Sequence, residues 1–121
     1  MPTPRRQFGD AGERIAEAFL LQKRYVLVER NFLVRQGEID LVMESPEKTL
    51  VFVEVKTRSS TAFGIPAESI TVAKAKRLIA AVYLYLQKYE CEERDFRIDL
   101  VSILFPGPTV EHIPNIVEGM M

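Results

Sequence analysis

Apolar positions along the chain recur with two different periods, and the switches between them predict the elements. Ala11, Ile15, Ala18 and Phe19 return at helical spacing, and Asp10 followed three residues later by Glu13 resembles a capping box, so a first helix is expected from about Ala11 to Lys23. Tyr25 to Val34 is rich in β-branched and aromatic residues and reads as a strand, bent near Asn31, with Gly37 marking a turn. Glu38 to Glu44 and Thr49 to Lys56 read as a hairpin around Ser45-Pro46-Glu47-Lys48. Leu50-Val51-Phe52-Val53 is apolar at every position, which predicts a strand buried on both faces at the centre of a sheet.

Ser59 to Pro66 reads as a loop, and Thr71 caps a long helix from about Val72 to Tyr89 with an apolar stripe through Leu78, Ala81, Val82, Tyr85 and Leu86. Phe96 to Leu104 alternates as a strand. Pro106-Gly107-Pro108 turns the chain into a short edge strand from Val110 to Ile113. Helix, three strands, helix and one or two strands is the order of an α/β chain, a mixed sheet of four to five strands with flanking helices.

The hairpin brings charged residues together. If Ser45 faces Thr49, the antiparallel register sets Val42 opposite Phe52, Asp40 opposite Glu54 and Glu38 opposite Lys56, with opposed Cβ atoms about 5 Å apart. The strand period of two then places Glu38, Asp40, Glu54 and Lys56 on one face, with Ile39, Leu41, Val53 and Val55 on the other. Two acids side by side repel each other, more so when partly buried. Lys56 offsets one charge, and a divalent cation would satisfy the pair, since carboxylate oxygens suit magnesium or manganese. A solvated cross-strand salt-bridge ladder is the plainer alternative, but Glu54 lies in a strand too apolar for an edge.

Composition narrows the classes. With 121 residues, 47% of them hydrophobic and 27% charged, the chain is expected to form a single domain, 1–121, around an ordinary core. No apolar run approaches the roughly 18 residues of a membrane span, and Cys91 stands alone, which excludes an internal disulfide and a multi-thiolate zinc site. A cytoplasmic location without membrane attachment is expected. The net charge of −1 draws in no polyanion by itself, so binding of nucleic acid would rest on local basic clusters or on a homodimer that joins them. His112 is the only histidine and is expected on the surface or the edge strand, while Asp99, in mid-strand, is expected to pair with a base.

Gly37-Glu38-Ile39-Asp40-Leu41 followed by Phe52-Val53-Glu54-Val55-Lys56-Thr57-Arg58 resembles the YraN-type family of small bacterial proteins. The resemblance runs from Gly9-Asp10-Ala11-Gly12-Glu13 through Phe63-Gly64 and Lys74 to Phe96-Arg97-Ile98-Asp99. It implies a restriction-endonuclease-like fold of the PD-(D/E)xK superfamily, akin to Holliday junction resolvases, and hydrolysis of phosphodiester bonds in DNA, including branched or nicked DNA. By that resemblance Asp40 and Glu54 are metal ligands for magnesium or manganese. Lys56 positions or deprotonates the attacking water or neutralises phosphate charge, and Glu13 matches the first-helix acid of the resolvase-like branch. Arg58 and Lys74 are the residues expected to touch the nucleic-acid backbone. The superfamily's proline before the aspartate is Ile39 here. The rival reading is a non-catalytic nucleic-acid-binding or scaffold module that keeps the fold.

Overall fold

A computed structural model describes residues 3–59 and 70–118 of the chain. Most of the loop expected from Ser59 to Pro66, including Phe63-Gly64, lies outside the described residues. The elements are α1 (Pro4–Gln22), β1 (Val26–Val34), β2 (Gly37–Glu44), β3 (Leu50–Arg58), α2 (Val72–Lys88), β4 (Phe96–Leu104) and β5 (Thr109–Ile113). The strands form one sheet in the order β1-β2-β3-β4-β5, antiparallel except where β3 and β4, joined across α2, run parallel. The mixed α/β architecture read from the sequence is the one found.

Helix α1 begins two turns earlier than expected. Thr3 is its N-cap, accepting a hydrogen bond from the Arg6 N–H, and Pro4 sits at the first helical position, where its missing N–H costs nothing. Asp10 and Glu13 therefore lie inside the helix and form no capping box. The early turns escape the periodicity argument because Arg5, Arg6 and Gln7 carry no apolar stripe.

The sheet separates two cores. Helix α2 packs Leu78, Val82, Tyr85 and Leu86 onto Phe32, Ile39, Val42, Leu50, Phe52 and Ile98 on one face. Helix α1 packs Ala16 and Leu20 onto Leu41, Met43, Val51, Val53, Val101 and Ile103 on the other. Each fully buried large side chain, such as Phe52, contributes roughly 1.5–3 kcal/mol of burial. Strand β3 is central and buried on both faces, as its unbroken apolar run predicts.

Alternation fails at one level of the sheet. Ile39 belongs to the α2 core and Leu41 to the α1 core, although residues two apart on a strand share a face. Across from them Phe32 joins the α2 core, while Arg30 reaches Glu17 on α1. The register on either side, Arg30↔Leu41 and Phe32↔Ile39, sets Asn31 opposite Asp40, and Asn31 has a left-handed φ of 52°. Both strands thus turn over at the Asn31–Asp40 level.

Gly12 lets α1 approach β3 closely. A methyl group on Gly12 would collide with Thr57 Oγ1 and lie 3.1 Å from Thr57 Cβ. Gly12→Ala is expected to destabilise the protein by about 1–3 kcal/mol in chemical denaturation despite the better helix propensity of alanine. Thr57→Ala in the same chain should recover part of that loss, and an unchanged midpoint for the single variant would show that the helix does not need this close approach.

Candidate functional site

The hairpin register is the predicted one as far as it extends: Glu44↔Leu50, Met43↔Val51, Val42↔Phe52 and Leu41↔Val53 are paired. The ladder then stops, so Asp40 and Glu54 are not the regular cross-strand pair expected. The Asp40 carboxylate turns toward β3 and accepts the Val55 N–H at 2.7 Å through Oδ2. That bond replaces the face-on projection the alternation assumed. It also explains why Glu38 does not pair with Lys56.

The expected residues nonetheless gather around the opening between β2 and β3. Asp40 and Glu54 line one hollow of about 820 Å³ with Glu38, Lys74 and Arg77 on the α2 side. Asp40 and Glu38 also line a second hollow of about 420 Å³ with Arg6, Asp10 and Glu13 on the α1 side. Asp40 is therefore reached from both faces of the sheet.

The electrostatics are those of crowded carboxylates. Burial first, and the charge of Glu54 second, push the Asp40 carboxyl up to about 8, against the opposing pull of the Val55 N–H. The Glu13 carboxyl is also raised, first by burial, then by Glu38 and Asp10 and more weakly by Glu54, while Arg6 pulls it down. Glu13 thus lies within electrostatic reach of both β2 acids and of Glu54, although it makes no direct bond to them among the described residues.

Glu54 is 7% exposed, and its Oε1 lies 2.7 Å from Lys74 Nζ on the first turn of α2. Thr71 positions that turn by accepting the Lys74 N–H at 3.1 Å. The Lys74 ammonium thus reaches a buried carboxylate while its side chain, 38% exposed, lines the same hollow. Lys56 is half-buried, and strand alternation sets it on the face of Glu54, but it has no ion pair with any described residue. Arg58 ends β3, half-buried, with its carbonyl accepting the Phe105 N–H at 2.8 Å.

Among the described residues no three His, Cys, Asp or Glu side chains are gathered closely enough to hold a metal ion. A pair still fits magnesium, which binds through one or two carboxylates and fills its other positions with water and substrate phosphate. The donors fit too: two hard oxygen ligands, one of whose carboxyls is pushed up by burial and by the charge of the other.

A second polar cluster lies on the opposite face, and only part of it is legible in the sequence. Asp99 is fully buried and accepts bonds from Arg97 Nε at 3.1 Å and from the Asn115 N–H at 3.1 Å, with His112 Nε2 at 2.8 Å. Arg97 also donates to the Tyr25 hydroxyl at 2.7 Å. The expected pairing of Asp99 with a base is found, and of the two places expected for His112 it takes the edge strand β5, with its side chain only 9% exposed. The readable signal is two charges at i and i+2 in a strand whose other residues, Ser102 apart, are apolar.

The profile of the family described as "Uncharacterised protein family UPF0102" matches residues 12–103. A UPF0102 protein of Geobacter metallireducens is 42% identical over 93% of this chain and 93% of its own length. One of Myxococcus xanthus is 37% identical over 99% and 96%, and one of Clavibacter michiganensis 44% over 90% and 94%. Among solved structures, the crystal structure of SSO0001 is similar at 18% identity with a TM-score of 0.44, covering 93% of this chain. This chain spans about half (53%) of the length of that one.

Proposed function

The chain belongs to the uncharacterised protein family UPF0102, the YraN-type family, and we propose that it is a metal-dependent endonuclease that hydrolyses phosphodiester bonds in branched or nicked DNA. The observation that carries this reading is the Asp40–Glu54 pair, two crowded carboxylates from β2 and β3 that line one hollow, with Lys56 two residues after Glu54 on β3. In this reading Asp40 and Glu54 hold magnesium or manganese. Such an ion supplies a lowered pKa for bound water and neutralises charge on the phosphate.

The protein's own groups do the rest. The Val55 N–H fixes the direction of the Asp40 carboxylate, and burial in β3 fixes Glu54. The Lys56 ammonium, without an ion pair among the described residues, is available to hold the attacking water or a phosphate oxygen. Lys74 balances Glu54 in the metal-free protein. Glu13 adds negative charge from α1 beside the β2 acids.

A second reading, a non-catalytic nucleic-acid-binding or scaffold module, is favoured by one observation: Lys74 already neutralises Glu54 at 2.7 Å. Manganese calorimetry and cleavage assays on nicked, branched and plain duplex DNA separate the two. The nuclease reading expects manganese binding and cutting by the wild type. Lys56→Met should keep the binding and lose about 100-fold or more in rate. Manganese binding without cutting of any of these DNA forms would favour the binding module.

A further inference from the structure

The hollows around the site share walls. A third, of about 630 Å³ between α1 and β1, is lined by Arg14 and Arg30 and shares Arg6, Asp10, Glu13 and Asn31 with the α1-side hollow. That hollow shares Glu38 and Asp40 with the α2-side one. The three hollows thus follow one another from the α1 face to the α2 face, meeting at Glu38 and Asp40, beside the point where the β2–β3 ladder ends.

Arginines flank the acids on both sides, with Asp10 and Glu17 among them on the α1 side. The acids Glu13, Glu38, Asp40 and Glu54 occupy the middle of the series. Arg6 and Arg14 lie on the α1 flank, and Arg35 and Arg77 on the α2 flank. Among the described residues none of these four arginines is in an ion pair, whereas Arg30 is taken up by Glu17 at 2.7 Å. Arginines free of ion pairs on either side of the central acids suit a polyanion held on both sides of a cation site.

Resting on the nuclease reading, we propose that Arg6 and Arg14 form a second binding flank, so that one nucleic-acid strand runs along the hollows from Arg35 and Arg77, past the acids, to α1. The chain's net charge of −1 conceals this flank, because the acids that offset it sit in the middle of the same series.

The test is fluorescence anisotropy of a labelled single-stranded DNA with calcium, which is expected to occupy the site without supporting cutting, over a range of sodium chloride. Arg6→Gln with Arg14→Gln should weaken binding at least fivefold and lower the slope of log Kd against log salt by about 0.7 for each phosphate that is no longer neutralised. Arg24→Gln, an exposed arginine beyond the hollows after α1, should leave both unchanged. Both altered arginines are exposed, so thermal melts should match the wild type. If the wild type binds and the double variant binds equally with the same slope, the α1 flank is wrong and the nuclease reading stands. If the wild type binds no DNA under any of these conditions, both fall.

Discussion

Asp40→Asn is expected to abolish cleavage, by 100-fold or more, and at the same time to stabilise the metal-free protein above pH 6. The Asp40 carboxyl is raised from 3.8 to about 8 in the folded chain, by burial and by Glu54. Below about pH 4 the residue is protonated in both the folded and unfolded states and contributes nothing to the pH dependence. As the pH rises, the unfolded chain releases the proton at its ordinary value while the folded chain keeps it. Stability then falls by about 1.4 kcal/mol per pH unit until the folded carboxyl also ionises near pH 8.

Asparagine has no such proton to lose, and its side-chain oxygen still accepts the Val55 N–H. Denaturation in chelator at pH 5, 6.5 and 8 should therefore show the two proteins diverging, with the widest gap at pH 8. A residual slope in the variant is expected from Glu13, whose carboxyl is raised for the same reasons. Manganese should restore the wild type and leave the variant unmoved. Parallel pH profiles for the two proteins would mean that Asp40 is not the strained group.

What is legible in the sequence follows from which forces act locally. Leu50 to Val53 announces the central strand because a strand covered on both faces tolerates no polar residue there. The stripe through Leu78, Val82 and Tyr85 announces the face of α2 for the same reason. The hairpin register follows from the short turn and holds through Leu41↔Val53. Beyond that pair the expectation fails because it assumes unbroken alternation, whereas the Asp40 carboxylate enters the sheet plane to take the Val55 N–H. No rule of period two anticipates a side chain that substitutes for a ladder acceptor. Lys74 reads as facing outward because a helix lysine has no local cue for a partner 20 residues away in sequence, while Glu54 lies beneath it only through the β3-α2-β4 crossover. The start of α1 is written in Thr3-Pro4, a cap and first-turn signal that needs no hydrophobic stripe.

The half-buried Asp40 and the buried Asp99 of this sheet should respond to substitution with opposite signs. Asp40 has one backbone donor and an acidic neighbour, whereas Asp99 has Arg97, the Asn115 N–H and His112 around it and no exposed surface. Asp99→Asn removes the charge that the partly buried Arg97 guanidinium answers, and leaves that cation facing a neutral amide. Breaking one side of a buried pair costs about 3–5 kcal/mol, and urea denaturation should show a loss of that size. The same substitution loosens the hold of β4 on His112 of β5 and on the Asn115 backbone. Through the Ile116 N–H, which bonds to the Ile98 carbonyl at 3.0 Å, the disturbance extends to Val117 in the α2 core. Removing both charges together, as Arg97→Met with Asp99→Leu, should cost less than the two single changes added, because no charge is then left unanswered. Below its melting transition the Asp99→Asn protein should bind manganese as the wild type does, since this cluster lies on the α1 face, away from Glu54 and Lys74. A small stability loss would mean that Arg97 finds compensation from Tyr25 alone, and a lost manganese site would mean that the two faces are coupled through β3.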